Sequence, residues 1–599
     1  MAAALAAGVF TATLPMQAAP EPAAYIAEDP FVVIYSPDVP ALIESWETST
    51  VNRLMEDEAI QDFLAPAFED DDAELPWDTL AQNWTNHALG ENLELYEGAF
   101  AISLVLTDEL PMEEWGDRPP MAIVGRIGAD EETYQEHMDA DLEQMQEDYG
   151  EGTIDEVTED YLGVTLHLRR EENEDGEMEA FEGWAIVDEV AVFGYPASVL
   201  RATVDRLVNP PTDLEWPGDW EANVDRIGLG NAFVFFDIKR LQPVWLTGLK
   251  EGLETAMESA PFGLTPESVI RAVDPAALQS ISAMVRFDPD KVRFAVGGVL
   301  REKVGIWKIF AYTQSELYQP EFASQKYLRS GVASFDFGKM YDSLITMLEN
   351  ASPQLALMVK TQITAFQNQI GVNFRDELLA GLNDNFYFYE TFRGSAEPGQ
   401  ELGPADIESD VGYVFSLDNQ QGVETAVNTL RNFLGQGLAA FDEREYLGTA
   451  IYSSKVQIPS AQTDESLEGP APGVEVSYAL IDGYWLVGVG SSKALERILA
   501  SMRDPGPTIW ELPRVKAMLS ELDQAPQGFE YSNMRRFVPM ILDLLEQEAK
   551  KDEESVGYVD LDAMPEPEVF LRYLQGATTI LFWEENGFHT TMDLFGEEE

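Results

Sequence analysis

Two stretches of this chain repeat one another at a fixed distance, and that repeat limits the possible folds more than any other feature. Residues 183–216 read GWAIVDEVAVFGYPASVLRATVDRLVNPPTDLEW, and residues 477–510 read SYALIDGYWLVGVGSSKALERILASMRDPGPTIW. Asp188 aligns with Asp482 and Trp216 with Trp510, at offsets of 482 − 188 = 294 and 510 − 216 = 294. Each copy spells strand, tight turn, strand, helix. The runs 184–187 and 190–193 are short, apolar and rich in β-branched and aromatic residues. Asp188-Glu189 separates them. In the second copy the separator is Asp482-Gly483, a strong hairpin signal, because a type I′ turn needs positive φ at both central residues. Val199, Val204 and Leu207 share one helical face in the first copy, as do Leu495, Ile498, Leu499 and Met502 in the second. Pro210-Pro211 and Pro505 then stop the helices.

The correspondence extends outward. Phe233, Asp237, Arg240, Leu241 and Pro243 align with Phe529, Asn533, Arg536, Phe537 and Pro539 at 529 − 233 = 296. Residues 281–287 and 292–300 face residues 577–583 and 588–595 as hairpin strands, with Asn586-Gly587 as a turn. Upstream, residues 122–127 and 413–417 read as strands. The first precedes a helix with Tyr134, Met138, Leu142 and Met145 on one face; the second precedes one with Val423, Val427, Leu430 and Leu434. Tyr161-Leu162-Gly163 and Tyr446-Leu447-Gly448 each read as opening a strand. A strand ending in a polar helix cap recurs four times, at 31–38, 233–237, 332–336 and 529–533. Residues 305–312, with Trp307 and Phe310, read as a strand joining the halves.

These observations give an α+β chain: a tandem duplication of a unit with largely antiparallel sheets and helices packed on one face. The first half covers 26–303, with subdomains 26–220 and 231–303. A connection follows at 304–321. The second half covers 322–599, with subdomains 322–515 and 526–599. The strand 385–392, NFYFYETF, carries aromatics on both faces and reads as central and covered.

Composition narrows the function classes. Lys plus Arg is 37 and Asp plus Glu is 108, giving a net charge of −71. Such a balance disfavours nucleic acid and anionic membranes. It suits a solvated surface in a salty medium, where charges are screened, or else cations and divalent ions as partners. There is no cysteine, which removes disulfides, thiolate nucleophiles and zinc–thiolate sites. Residues 1–25 resemble the apolar core and cleavage region of a signal peptide, without its basic start, so export to the periplasm or medium is expected. No other apolar run is long enough to span a membrane.

Chemistry-bearing motifs are few. Glu171, Asn173, Asp175, Gly176, Glu177, Glu179 and Glu182 approach the spacing of a calcium loop. The first position is Glu rather than Asp, the flanks read as strands, and Asp175-Gly176 equally suits a hairpin tip. His87, His137, His167 and His589 form no metal-binding pair at helical spacing. No catalytic or cofactor motif is present, so no catalytic residue and no cofactor is assigned. Residues 488–493, GVGSSK, read as turn and helix cap rather than as an anion site. Asp188/Asp482, Trp216/Trp510 and Arg240/Arg536 read as structural positions of the repeat.

The layout of residues 32–46, VVIYSPDVPALIESW, and 333–348, ASFDFGKMYDSLITML, resembles that of exported bacterial proteins of unknown function built from repeated α+β modules. That resemblance implies no catalytic residue. The expectation is an exported, non-catalytic binding or scaffold protein of the cell envelope, with cations or envelope components as partners. The alternatives are a hydrolase of envelope or extracellular polymers using carboxylates, and calcium-dependent adhesion.

Overall fold

The computed structural model describes residues 25–69, 95–107, 110, 115, 118–128, 131–149, 153–172, 178–210, 216–257, 263–310, 312–313, 315–392, 409–435, 440–456, 474–551 and 559–596. Residues 1–24, Asn173, Asp175, Gly176, Glu177 and His87 lie outside these, so most of the leader-like segment and the middle of the acidic loop are not described. The chain divides into two compact units. Of the described residues, those up to 48, those from 95 to 241 and 280–287 form the first; those at 49–69, 242–279 and from 288 onward form the second.

The first unit contains β1 (Pro30–Ser36), β2 (Tyr96–Val105), β3 (Met121–Ile127), β4 (Ile154–Tyr161), β5 (Val164–Glu172), β6 (Met178–Val187), β7 (Val190–Tyr195), β8 (Ala232–Phe236) and most of β9 (Leu278–Asp288). Its ladder runs β9-β8-β1-β2-β3-β7-β6-β5-β4, antiparallel throughout. The second unit contains β10 (Lys291–Leu300), β11 (Arg329–Ser334), β12 (Leu382–Phe392), β13 (Ser409–Leu417), β14 (Asp442–Tyr446), β15 (Thr449–Val456), β16 (Val474–Ile481), β17 (Tyr484–Gly490), β18 (Gly528–Asn533), β19 (Gly576–Glu584) and β20 (Gly587–Phe595). Its ladder runs β10-β20-β19-β18-β11-β12-β13-β17-β16-β15-β14, also antiparallel.

The register gives the comparison its resolution. One row across the first sheet reads Leu166, Ala185, Val192, Val124, Ala101, Tyr35, Phe233 and Met284. The row at the same strand positions in the second reads Ile451, Ala479, Leu486, Val414, Tyr387, Val332, Phe529 and Ile580. All sixteen side chains are buried. The part of each row on three of its strands, β3, β7 and β6 in the first unit and β13, β17 and β16 in the second, lies under the helix that follows the repeated hairpin. Ala197–Val208 packs Val199, Leu200 and Val204 inward, and Lys493–Arg503 packs Leu495, Ile498 and Leu499.

The expectation that helices cover one face is corrected: each sheet is covered on both. In the first unit Trp184, next in sequence to Ala185 and so on the opposite face, meets Tyr134 of the helix Glu131–Tyr149 edge-on at 5.7 Å. In the second unit Phe386 and Phe415 meet Phe337 of the helix Phe337–Ala351, while Val423 and Val427 of Gln420–Leu434 complete that layer. Strands apolar at consecutive positions demand such double cover, since either face left bare would expose aromatic rings to water. β12 is such a strand: Tyr387 and Tyr389 are fully buried on one face, and Phe386 is packed on the other.

Most helix caps and turns form where the sequence signals them. Asp38, Asp237 and Asp336 accept hydrogen bonds from the backbone N–H groups of Ala41, Arg240 and Lys339, as helix caps should. Asn533 does not cap; it closes β18 and donates its side-chain amide to the Gln325 carbonyl. Residues 305–312 are not a strand: Gly305–Lys308 is a short 3-10 helix, and Tyr312 forms an isolated bridge to Phe335. Gly305, at φ +53°, sits so close to the Val273 carbonyl that a β-carbon would collide with it, and this contact bends the chain. Finally, the β19–β20 turn is centred on Glu585-Asn586 rather than Asn586-Gly587.

Candidate functional site

Two hairpin tips meet near the end of the post-hairpin helix in each unit. The predicted β6–β7 and β16–β17 turns form as expected, with positive φ at Asp188, Glu189, Asp482 and Gly483. The second tip corrects the sequence reading. Leu162-Gly163 and Leu447-Gly448 do not open strands; they are the central pair of the β4–β5 and β14–β15 turns, with φ of +56° and +82°, and +50° and +84°. Leucine rarely adopts this backbone region. Both leucines are nonetheless exposed, Leu162 at 49% and Leu447 at 45%.

Each pair of tips borders a cavity. In the second unit it measures about 620 Å³. Ile481 and Tyr484 flank one turn, Leu447 stands at the other, Leu499 and Met502 come from the helix, and Tyr318 and Phe322 close one side. The segment bearing those rings is tied down: Trp510 donates its indole N–H to the Pro320 carbonyl at 3.1 Å, and Ile509 donates to the Ala323 carbonyl. Tyr318 donates to the Tyr484 hydroxyl at 3.3 Å, and the Phe322 ring meets Tyr484 edge-on at 5.6 Å. Burial, together with the bond to Tyr484, pushes the Tyr318 phenol far up, so it stays a neutral donor. Charges are confined to exposed residues: Glu321, Asp482 and Arg503. The arrangement offers apolar and aromatic surface with a tyrosine hydroxyl pair, and no buried acid–base group.

The cavity in the first unit, about 640 Å³, lies at the same place in the strand order, bordered by Leu162, Asp188 and Val208. Its lining is different. His167 stacks on Trp184 with centroids 3.9 Å apart. Glu156 accepts from the Trp184 indole at 3.3 Å and lies 2.9 Å from His167 Nδ1. Burial pushes the Glu156 carboxyl up, but His167, the Trp184 N–H and Arg169 outweigh it and hold its pKa below the usual glutamate value. Behind this group lies a buried ion cluster. Arg169 donates to Asp141, Glu182 and the Met138 carbonyl, and Arg118 donates to Glu182.

That cluster holds one of the residues singled out for calcium. Glu182 is buried and engaged by Arg169 and Arg118, while Glu171 is exposed at the end of β5, opposite Glu179. The cap-like segment before Lys493 is also occupied from within: the Ser492 N–H donates to the Glu475 carboxylate at 3.2 Å. Sequence reasoning missed Arg169 altogether, since nothing in a chain of 108 acids marks which carboxylates an arginine will meet.

No family model and no curated protein matches the chain. Among solved structures, crystal form I of the treponemal protein TP0453 matches at 9% identity and a TM-score of 0.23, covering 47% of this chain and 79% of that one. Crystal form III matches at 11% identity and a TM-score of 0.22, covering 47% and 81%. No helix among the described residues is long and apolar enough to cross a membrane.

Proposed function

We propose that this chain is an exported, non-catalytic binding protein of the bacterial cell envelope, periplasmic or secreted, built from two copies of one α+β unit. The shared ladder order and the two matched rows of buried side chains support the duplication. The apolar start of the sequence supports export. The cavity beside Tyr318 and Tyr484 carries the binding reading. It is of ligand size, apolar and aromatic inside, polar at its mouth, and holds a neutral hydroxyl pair to orient a guest. Its guest is an uncharged apolar or aromatic molecule.

The test is fluorescence titration of the full chain with N-phenylnaphthylamine, an uncharged aromatic probe. Leu447→Asp replaces an apolar side chain of the lining with a charge, in a turn position that aspartate tolerates, and should weaken binding about tenfold. The matched change Leu162→Asp in the first unit should leave binding unchanged. Equal loss in both variants, or in neither, removes the assignment to the second-unit cavity.

A further inference from the structure

A different cavity in the second unit runs against the charge of the whole molecule. It measures about 510 Å³, and its lining includes Arg271, Lys303, Lys308 and Lys339. The chain has only 37 basic residues against 108 acidic ones, so four cations around one concavity are far from its average surface. Two carboxylates also line it, but both are engaged elsewhere: Asp274 with Arg301 at 3.2 Å and Asp342 with Arg375 at 2.7 Å. Lys339 is paired with Asp336. Arg271, Lys303 and Lys308 have no ion-pair partner among the described residues. The cavity therefore keeps three positive charges without a direct ion pair, with Glu585 and Glu584 acting on Lys303 only at longer range.

Its wall is aromatic. Trp307 stacks on Phe588 with centroids 6.1 Å apart, and Trp583 packs against Phe310 at 5.4 Å and Tyr312 at 5.8 Å. The Lys303 ammonium lies over the Trp583 ring, 5.3 Å from its centre. Burial lowers the Lys303 pKa, the expected response of a cation partly withdrawn from water without a direct counter-ion. The Trp307 indole nitrogen is buried and has no hydrogen-bond acceptor. The 3-10 turn Gly305–Lys308 sets Trp307 and Lys308 side by side, and the close approach of Gly305 to Val273 fixes that turn against the helix that carries Arg271.

We propose that this cavity is a second binding site, selective for organic anions with a flat aromatic body. The anionic group meets Lys303, Lys308 and Arg271, and the body lies against the Trp307 and Trp583 rings. At physiological salt, charges more than about 8 Å apart are largely screened, so the distant acidic surface counts for little beside the four cations and the two arginine-paired carboxylates of the lining. The site is independent of the uncharged-ligand cavity in its residues and in the charge it selects.

Calorimetric titration of the full chain with naphthoate and with its uncharged counterpart naphthamide tests this. Naphthoate should bind more tightly, and added sodium chloride should weaken it while leaving naphthamide unaffected. The double variant Lys303→Gln/Lys308→Gln removes two exposed or half-exposed charges and should lose about tenfold in naphthoate affinity. Retained circular dichroism and retained N-phenylnaphthylamine binding would show that the variant is folded. Absence of naphthoate binding at millimolar concentration, equal affinity for the two probes, or an unchanged affinity in the folded double variant would overturn the proposal.

Discussion

The two units have sheets of the same strand order over nine strands and differ in what lies behind them. On the face that bears the post-hairpin helix, eight matched positions are buried and apolar in both. On the opposite face the matched positions diverge. His167 and Trp184, cross-strand partners on β5 and β6, correspond to Tyr452 and Tyr478 on β15 and β16. Both pairs stack, but the first is bonded to Glu156, whereas the second lies under the Arg431 guanidinium, 4.0 Å from the Tyr452 ring. Arg169 and Glu182 correspond to Ser454 and Val476. Ladder and apolar rows thus fix the backbone, and the second face is free to be ionic in one unit and aromatic in the other. A sheet face tolerates either solution provided most of its buried polar groups are paired.

The largest difference between the units should appear when one charge is removed from the ion cluster. Arg169→Met leaves Glu182 buried without its main counter-charge, and should destabilise the first unit by about 3–5 kcal/mol. At the matched position Ser454→Ala should cost no more than about 1 kcal/mol. Urea unfolding followed by circular dichroism measures both. Similar costs would mean that Arg169 is solvated rather than held in the cluster.

A smaller effect is read in acid. The depressed pKa of Glu156 means that its contribution is complete above the unfolded glutamate value and is lost as pH falls through the folded one. Glu182 has the opposite sign. Burial raises its carboxyl despite Arg169 and Arg118, so its share is complete below the unfolded value and fades as pH rises through the folded one. Stability measured against pH should therefore fall less steeply with acid in Glu156→Gln and more steeply in Glu182→Gln. The same slope in both variants would show that the two carboxylates do not titrate in these opposed environments.

Much of the backbone plan was legible because it rests on short-range rules. Asp-Gly at 482–483 announces a turn with positive φ, Asp38 and Asp336 announce helix starts, and NFYFYETF announces a strand with two covered faces. The site was less legible. Arg169 and Glu182 are thirteen positions apart on neighbouring strands, and only the β5–β6 register makes them partners. The cations near Trp307 come from three separated segments, at 271, 303–308 and 339. Residues 305–312 misled because Trp307 and Phe310 suit an apolar strand as well as one face of a 3-10 turn. The two turn leucines read as strand residues, since leucine gives no hint of a left-handed backbone.

Those leucines supply the smallest prediction and the one that bears most directly on function. A left-handed leucine costs roughly 1–2 kcal/mol relative to the common backbone regions, and asparagine escapes part of that cost. Leu162 and Leu447 are largely solvated, so their burial repays little. Leu162→Asn and Leu447→Asn should each stabilise the chain by roughly 0.5–1 kcal/mol, seen as a raised thermal midpoint. If both leucines are only turn residues, the two variants behave alike in every assay. If Leu447 stays in its strained turn because it forms the mouth of the apolar cavity, Leu447→Asn gains stability and loses N-phenylnaphthylamine affinity, while Leu162→Asn gains stability alone. Unchanged affinity in Leu447→Asn would leave the strained leucine without a part in binding and place the guest deeper, against Tyr484 and Met502.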